Sequence, residues 1–325
     1  MKKVLIIGCG LLGSSLVRKI SKNKIAKKIF IYEKSKSNIL KIKRLNLPGT
    51  IVKSLEDGVV NSDLVIICTP MSEYKKLIIK INKFISSKTI ITDIGSSKIE
   101  SSKIIKKFLK RGVHWIQSHP ITGSEVSGPE HGKENMFKDK WCILIKDKNT
   151  NLRNLKFLNS FWKKVGSKTV MMNVEKHDKI FSITSHLPHL IAYNLVKSAQ
   201  DFEKKQKYDL IKFSAGGLRD FSRIAASNEI MWRDIFFDNK FNVSRAIDMF
   251  IKNLNSFKKD INSKNSKSII KKLIQTKKVR SKILKLKQDI NKPDFGRKQN
   301  SMIWKSIGKI LRMENKCNPN LFIPL

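Results

Sequence analysis

The sequence predicts an α/β fold, a doubly wound parallel sheet, followed by an all-helical domain. The sheet is indicated by short runs of branched apolar residues that alternate with helix-like stretches. Unbroken apolar runs are typical of strands covered on both faces, and their alternation with helices is typical of a parallel sheet. The runs occupy residues 4–7, 29–32, 64–68, 89–92 and 142–145, and the helix-like stretches occupy residues 11–22, 72–84 and 96–110.

The helical domain is predicted by a change of pattern after Asn173. From residue 174 to 256, apolar residues recur at helical spacing and no strand-like run interrupts them. A polar segment at 262–268 indicates a loop or weak linker, and a basic helical stretch follows it. We therefore expect a sheet domain over residues 1–172, a helical domain over 173–290, and a basic C-terminal tail over 291–325 with a short amphipathic helix at 302–313.

The net charge of +41, from 67 Lys and Arg against 26 Asp and Glu, needs an explanation. A strongly basic chain can bind nucleic acid. Here the lysines are spread along the whole chain and greatly outnumber the arginines, although arginine is better suited to phosphate. Lys, Ile and Asn are all common and all have A/T-rich codons, so compositional drift accounts for the charge. A nucleic-acid partner is therefore not expected.

Membrane insertion, export and disulfides are not expected either. No apolar run approaches the ~20 residues that span a bilayer. The apolar stretch at 4–7 is shorter than the ~7–15 residues of a signal peptide. The four cysteines, Cys9, Cys68, Cys142 and Cys317, have no CxxC spacing. These features favour reduced thiols in a cytoplasmic protein.

A glycine-rich turn follows the first predicted strand and opens the first predicted helix, which is the context in which GxGxxG binds a dinucleotide. Its glycines allow a tight turn and a close approach of the backbone to a pyrophosphate, and the helix offers unpaired N–H groups. Glu33 ends the second strand ~20 residues later, where an acid accepts hydrogen bonds from the adenine ribose. A carboxylate there repels a 2′-phosphate and favours NAD over NADP, although Lys34 and Lys36 weaken that preference. The predicted NAD-binding residues are Gly8, Gly10, Leu11, Leu12, Gly13 and Glu33, with Thr69 and Pro70 at the end of a later strand.

Three further segments, 92–98, 118–129 and 215–234, are dense in polar residues within apolar surroundings. The first joins a strand end to a helix start, where we expect Ser97 to cap the helix. The second is an irregular loop rich in Gly and Pro, and such loops commonly carry polar sites. The third holds three arginines in a chain otherwise poor in Arg, which indicates carboxylate recognition or buried ion pairs.

Together these segments resemble the prephenate/arogenate (cyclohexadienyl) dehydrogenase family. Each motif alone is modest, but their occurrence in order over residues 1 to about 260 is highly specific. The matching segments are the glycine loop at 8–13, DIGSSK at 93–98, SHPITGSEVSGP at 118–129, HDKIFSITSHLPHLIA at 177–192, GGLRDFSRIA at 216–225 and MWRDI at 231–235.

The resemblance implies an N-terminal Rossmann domain followed by an all-helical dimerisation domain, and hence a homodimer. It implies oxidative decarboxylation: NAD⁺ takes a hydride from ring C4 of prephenate or arogenate while the ring carboxylate leaves as CO₂. The product is 4-hydroxyphenylpyruvate or tyrosine, in tyrosine biosynthesis. Aromatisation drives this reaction, so a neutral imidazole that accepts the proton of the 4-hydroxyl is a sufficient base.

The resemblance also implies roles for individual residues. His119 matches the family's catalytic histidine, and Ser96 matches the serine that holds the substrate hydroxyl and that histidine. Arg223 matches an arginine that binds a substrate carboxylate, and His189 matches a second histidine that contacts the substrate. Glu125 and Trp232 match residues that line or close the pocket, and Trp232 is a candidate for contribution by the partner subunit.

Three alternatives are a metal site, a different oxidoreductase and a nucleic-acid binder. His186 and His189 are spaced to share a helical face, but they lack a third ligand at suitable spacing, and no metal is expected. Another oxidoreductase with the same two-domain plan, such as a β-hydroxyacid dehydrogenase, would use a lysine where this chain carries His177 and Asp178. A nucleic-acid binder would give a salt-sensitive mobility shift with DNA. Prephenate and arogenate differ at the side chain, and no residue distinguishes between them.

Overall fold

The computed structural model describes residues 2–286. The chain divides into two compact units, Met1–Phe250 and Ile251–Leu325. The strands of the described chain are β1 (Lys3–Ile7), β2 (Lys28–Tyr32), β3 (Thr50–Ile51), β4 (Leu64–Ile67), β5 (Ile90–Asp93), β6 (His114–Trp115), β7 (Ser118–Pro120), β8 (Trp141–Ile145) and β9 (Lys168–Met172). The α-helices of the described chain are α1 (Leu11–Lys22), α2 (Lys36–Arg44), α3 (Leu55–Val60), α4 (Tyr74–Ile81), α5 (Ile99–Phe108), α6 (Leu152–Val165), α7 (Val174–Phe181), α8 (Leu187–Gln206), α9 (Gly216–Ala225), α10 (Glu229–Asp238), α11 (Lys240–Asn262) and α12 (Ser266–Lys285).

The main sheet is parallel and has the strand order β3-β2-β1-β4-β5-β6. Alternate residues of β1 enter two apolar clusters, one on each face, so that Val4 and Ile6 lie in one and Leu5 and Ile7 in the other. This two-sided burial explains why the central strands are continuous apolar runs. The predicted doubly wound sheet and its strands at 4–7, 29–32, 64–68 and 89–92 are confirmed. The strand order reverses between β1 and β4, and ligands of such sheets bind at the carboxyl ends of the strands at that point.

The predicted strand at 142–145 forms, but as β8 it lies in a second sheet of order β7-β8-β9. In that sheet β7 runs antiparallel to β8, and β9 runs parallel to it. The pairing places His119 opposite Ile143. The pattern did not predict β3, β6, β7 or β9, because three of them are only two or three residues long and β9 is largely half-exposed or exposed.

From residue 174 to the end of the first unit, the described secondary structure is helical, as predicted. A π-helical turn at Ser182–His186 separates α7 from α8, and Pro188 stands in the first turn of α8. A proline inside a helix commonly kinks it. The wider π turn instead places Pro188 where its missing N–H is not needed, and such turns are frequent at functional sites.

Helix α10 packs on the main sheet and closes one of its faces. Its residues Trp232 and Ile235 belong to the same buried cluster as Leu5, Ile7 and Val65 of the central strands. Asp234 of the same helix accepts a hydrogen bond from the backbone N–H of Ser72 at 3.2 Å. The helical segment is therefore joined to the sheet through both apolar and polar contacts.

In the second unit, α12 follows the end of α11 after three residues, a shorter break than the polar segment predicted at 262–268. Asp260 accepts hydrogen bonds from Lys272 Nζ and Ser268 Oγ, both at 2.6 Å. The predicted basic helix at 269–290 is present as α12 up to Lys285, and the predicted tail over 291–325 lies outside the described residues. Among residues 2–286, none of the helices has the length and apolar character needed to cross a bilayer.

Candidate active site

The glycine loop has the geometry of a dinucleotide cradle. Gly8 has a φ of +88°, a conformation that favours glycine. A Cβ on Gly13 would lie 2.1 Å from the carbonyl oxygen of Gly8, so only glycine allows α1 to pack this closely on the loop. A Cβ on Gly10 would meet no atom within 4 Å, so the space above Gly10 is open. Within residues 2–286, the backbone N–H groups of Leu11 and Leu12 have no hydrogen-bond partner, which leaves them available to an anion.

Glu33 is fixed against this loop by two backbone N–H groups. Its Oε2 accepts from Cys9 at 2.8 Å, and its Oε1 accepts from Ser35 at 2.9 Å. Lys34, which we considered as a phosphate ligand, forms an ion pair with Glu73 at 3.0 Å. A carboxylate held at the end of β2 suits the two hydroxyls of an adenine ribose.

Thr69 borders the same loop from the end of β4. A Cβ on Gly8 would lie 3.0 Å from Cγ2 of Thr69, and the Thr69 hydroxyl is buried without a hydrogen-bond partner in the described chain. Buried hydroxyls normally have partners, so an unsatisfied one at a crevice indicates a missing ligand. The open space at Gly10, the free N–H groups and this hydroxyl all fit a bound dinucleotide.

The turn between β5 and α5 is held by a residue distant in sequence. Asp178 of α7 accepts hydrogen bonds from the backbone N–H groups of Lys98 and Ile99, each at 2.9 Å. The expectation that Ser97 caps this helix is wrong, because a carboxylate takes that place. The Ser97 hydroxyl instead lies 3.5 Å from both Met71 Sδ and Asp238 Oδ2. Ser96 is half-buried, and its hydroxyl has no hydrogen-bond partner in the described part of the chain.

A hydrogen-bonded chain of three buried side chains connects His119 to this turn. His119 Nδ1 lies 2.8 Å from His177 Nε2, and His177 Nδ1 lies 2.7 Å from Asp178 Oδ1. Phe181 packs on both imidazoles, with ring centroids 4.8 Å from His119 and 4.5 Å from His177. Phe181 therefore covers one side of these hydrogen-bonded residues with an apolar ring.

The hydrogen-bond pattern determines which nitrogen of each ring carries the proton. The Asp178 carboxylate only accepts, so His177 Nδ1 donates to it and His177 Nε2 must accept. His119 Nδ1 is then the donor to His177, and His119 Nε2 retains its lone pair. His119 is therefore oriented as a hydrogen-bond acceptor, which is the state required of a general base.

Burial and neighbouring charges favour the neutral imidazoles. Burial lowers the pKa of His119 well below its usual range, and His177, Lys98 and His186 lower it further. Burial likewise lowers the pKa of His177, with Lys98 and His186 acting in the same direction. Burial raises the pKa of Asp178, and the hydrogen bonds from Ile99 and Lys98 oppose that rise.

His189 and Trp232, two of the predicted substrate residues, form a wall that His186 also contacts. The rings of His189 and Trp232 are stacked, with centroids 3.7 Å apart, and His186 meets Trp232 edge-on at 6.1 Å. His189 Nδ1 donates to the Ser185 carbonyl at 2.9 Å. The charge of Arg223 acts on His189, which places Arg223 beside this wall.

Trp232 and Glu125 differ in the contacts that they make. Trp232 is buried against its own chain, although we also considered it a contribution of the partner subunit. Glu125 is half-buried in the loop after β7, and its hydrogen-bond partner in the described chain is Ser124, at 3.2 Å. The structure does not bring Glu125 into contact with His119 or His189.

Sequence reasoning did not identify His177, Asp178 and Asn239 as site residues. Asn239 Nδ2 donates to the Asp178 carbonyl at 2.8 Å and faces His186 Nδ1 at 3.1 Å. The available signal was the adjacent His-Asp pair at the start of α7. Among residues 2–286, no group of three or more His, Cys, Asp or Glu side chains is placed to hold a metal ion.

Comparisons with known proteins identify the family. Residues 16–171 match the model described as "Prephenate dehydrogenase, nucleotide-binding domain", and residues 173–275 match "Prephenate dehydrogenase, dimerization domain". The chain is 31% identical over 288 residues to cyclohexadienyl dehydrogenase of Zymomonas mobilis, which covers 89% of this chain and 97% of that protein. It is 29% identical over 270 residues to prephenate dehydrogenase of Bacillus subtilis, covering 82% of this chain and 72% of the relative.

A solved structure agrees with these relatives. The crystal structure of prephenate dehydrogenase from Aquifex aeolicus, in complex with hydroxyphenyl propionate and NAD⁺, superimposes with a TM-score of 0.81. The sequence identity is 33%, and the match covers 87% of this chain and 98% of that one. A Rossmann-type sheet, an enclosed His-His-Asp chain beside it, and two family models that together match most of the chain lead to one conclusion: the chain belongs to the prephenate dehydrogenase family of oxidoreductases.

Proposed function

We propose that this chain catalyses the NAD⁺-dependent oxidative decarboxylation of prephenate to 4-hydroxyphenylpyruvate, of arogenate to tyrosine, or of both. The observation that carries the proposal is the hydrogen-bonded chain from His119 through His177 to Asp178, which leaves His119 Nε2 as a buried acceptor. The reaction needs an acceptor of this kind for the 4-hydroxyl proton. Bound NAD⁺ supplies the hydride acceptor for ring C4.

His119 accepts the proton of the 4-hydroxyl as that carbon takes on carbonyl character. The proton enters at Nε2, and His119 Nδ1–H remains hydrogen-bonded to His177. The Asp178 carboxylate, two hydrogen bonds away, stabilises the resulting imidazolium. Loss of CO₂ from the ring then gives an aromatic product, so a weak base suffices.

The wall beside His119 suits a substrate that carries carboxylates. Arg223 offers a planar guanidinium, which pairs well with a carboxylate. His189 is held in orientation by Ser185 and by the Trp232 ring. Ser96 is half-buried and lies in the turn that Asp178 caps. We assign its hydroxyl to the hydroxyl of the substrate. Glu125 is assigned to the pocket edge on the family resemblance alone.

The cofactor assignment is to NAD rather than NADP. Gly8, Gly10 and Gly13 shape the cradle. Leu11 and Leu12 present N–H groups to the pyrophosphate. Thr69 and Pro70 follow the end of β4. Glu33 stands where a 2′-phosphate would be repelled, and Lys34 is paired with Glu73.

The β-hydroxyacid dehydrogenase alternative is not favoured. That chemistry would place a lysine where α7 carries His177, and His177 is instead bonded to His119. We further propose a homodimer through the helical domain, supported by the match of a dimerization-domain model to residues 173–275. A cytoplasmic location is proposed because Cys9, Cys68 and Cys142 are all free thiols.

The proposal is tested by following NADH formation at 340 nm with prephenate and with arogenate in turn, first with NAD⁺ and then with NADP⁺. We expect turnover with at least one substrate, CO₂ release in equal amount, and a higher kcat/KM with NAD⁺. Phenylpyruvate, which lacks the ring carboxylate and the hydroxyl, serves as the negative control. Absence of NADH with both substrates would refute the proposal.

A further inference from the structure

Lys98 occupies an unusual position beside the proposed base. Its side chain is fully buried, and its Nζ lies 2.6 Å from Asp93 Oδ2, which is also fully buried. The same ammonium donates to the Ser118 carbonyl at 2.8 Å. Ser118 directly precedes His119, so this bond fixes the strand end from which the imidazole projects.

The backbone of Lys98 contacts the other end of the His119–His177–Asp178 chain. Its N–H donates to Asp178 Oδ1 at 2.9 Å. Lys98 therefore holds both the Ser118 carbonyl, which is next to His119, and the Asp178 carboxylate. The distances between the two imidazoles and the carboxylate depend on both contacts.

Asp93 has further hydrogen-bond donors besides Lys98. Its Oδ2 also accepts from Tyr74 Oη at 3.1 Å and from the Gly95 N–H at 3.0 Å, and its Oδ1 accepts from Trp115 Nε1 at 3.0 Å. These donors spread its negative charge across α4, β6 and the turn after β5. The ammonium of Lys98 lowers the pKa of both imidazoles below the level that burial alone would set.

Stability alone does not explain this pair. Removing two charges from water costs several kcal/mol per ion, and apolar residues of similar volume often stabilise a fold equally well. This ion pair also holds the Ser118 carbonyl, which directly precedes His119, and an apolar pair could not do so.

We infer that Lys98 is a positioning residue for the proposed reaction: it fixes the strand that carries His119 and the carboxylate of Asp178, and it places a buried positive charge beside the two imidazoles. This inference rests on the proposed function for its benefit to catalysis, but its structural effect is measurable without turnover. The charged or titratable groups that face His119 are Lys98 before α5, His177 and Asp178 on α7, His186 on the π turn, and Asp93 on β5 through Lys98.

The test uses the paired variant Lys98→Met with Asp93→Asn, which removes both charges and keeps the volumes. Its control is Lys197→Met with Asp201→Asn, which removes an exposed ion pair from α8. Histidine Cε1–H resonances of the full chain are titrated by NMR from about pH 5 to about pH 8, a range that brackets an ordinary imidazole. The chain has six histidines, so His119→Asn and His177→Gln variants assign the two that matter.

In the wild type and the control, we expect neither His119 nor His177 to titrate in that range. In the paired variant burial still disfavours the charged imidazole, but without the ammonium at least one of the two should begin to titrate at the acid end of that range. In kinetics, kcat should fall by about tenfold or more while KM changes by less than about threefold, since a misplaced base slows the reaction without weakening binding.

Asp93→Asn alone is the second variant, and it keeps the ammonium and its bond to Ser118. With only the negative charge removed, neither His119 nor His177 should titrate between about pH 5 and about pH 8, as in the wild type. A titration of either histidine in Asp93→Asn, or unchanged titrations and kcat in the paired variant, would overturn the inference. If the paired variant does not fold, the presence or absence of a titration in Asp93→Asn decides. If the titrations come out as expected but the wild type turns over neither substrate, the proposed function fails while the role of Lys98 stands.

Discussion

The indole of Trp232 lies on the imidazole of His189, with ring centroids 3.7 Å apart and planes inclined by 22°. Trp232 is also part of the apolar cluster under the main sheet, and it is only 5% exposed. The contact joins the core of the sheet directly to the wall of the proposed substrate pocket.

Trp232→Ala should therefore affect stability and substrate binding together. Removing a buried indole costs about 3–5 kcal/mol of unfolding free energy, and His189 loses the surface that orients it, so KM for the substrate should rise. Trp232→Phe, which retains an aromatic ring, should recover most of both. Urea unfolding and steady-state kinetics measure the two effects. An Ala variant of normal KM would show that His189 keeps its place without the stack.

His119→Asn should lower kcat by about 10²-fold or more, because the acceptor for the 4-hydroxyl proton is lost. KM should change little, since the substrate carboxylates bind elsewhere. Arg223→Ala should give the opposite pattern, with a raised KM. His131→Asn, at an exposed histidine, is the control. Turnover of the His119 variant near the wild-type rate would mean that another group takes the proton.

Asp178→Asn should lower kcat by about tenfold to a hundredfold. The single amide oxygen can replace only one of the two accepting carboxylate oxygens, and the amide NH₂ would face a donor, so the melting temperature should fall as well. The charge that stabilises the His119 imidazolium through His177 is also lost. His177→Gln should give a similar loss of kcat by breaking the bond to His119. If both variants keep the wild-type kcat, His119 does not need its hydrogen-bonded connection to His177 and Asp178.

Gly10→Ala should fold normally and bind NAD⁺ poorly. An added methyl meets no protein atom within 4 Å, so no clash arises in the free protein, but it occupies the space of the pyrophosphate. We expect Kd for NAD⁺ to rise by about tenfold or more, or about 1.4 kcal/mol. Gly13→Ala is the matched comparison, because its methyl would lie 2.1 Å from the Gly8 carbonyl oxygen and should destabilise the fold. Calorimetric titration and thermal unfolding separate the two. Unchanged NAD⁺ binding by Gly10→Ala would place the cofactor elsewhere.

Asp238 should make stability depend on pH. Burial, together with the negative charges of Asp234 and Glu100, raises the pKa of Asp238 from 3.8 to about 6. The folded chain therefore holds this proton more tightly than the unfolded chain, so stability falls as the pH rises from about 4 to about 6. Asp238→Asn should raise the unfolding free energy at pH 7 by up to about 3 kcal/mol, with no gain below about pH 4.

Asp248→Asn, at an exposed carboxylate of α11, is the control for that experiment and should show no such pH dependence. Urea unfolding at a series of pH values gives both curves. A gain for Asp238→Asn that persists at low pH would have another cause than the carboxylate charge.

The sequence by itself determined the parts of this protein that depend on local pattern. The runs at 4–7 and 64–68 predicted central strands, because burial on both faces requires continuous apolar residues. The spacing of Gly8, Gly10 and Gly13 predicted the cradle, because the steric requirements of that turn are local. His119 was singled out within its motif by the family resemblance.

Only the tertiary structure decided which distant groups meet. Ser97 was the local choice for the cap of α5, but the fold brings the Asp178 carboxylate across 79 residues to Ile99, and a charge binds a helix N-terminus more strongly than a hydroxyl. The pairing of His119 with His177 spans 58 residues, and the burial of Lys98 depends on Asp93, Tyr74 and Trp115. The protonation states of side chains in a site follow from such contacts and from the exclusion of water, and the local spacing of residues in the sequence predicts neither.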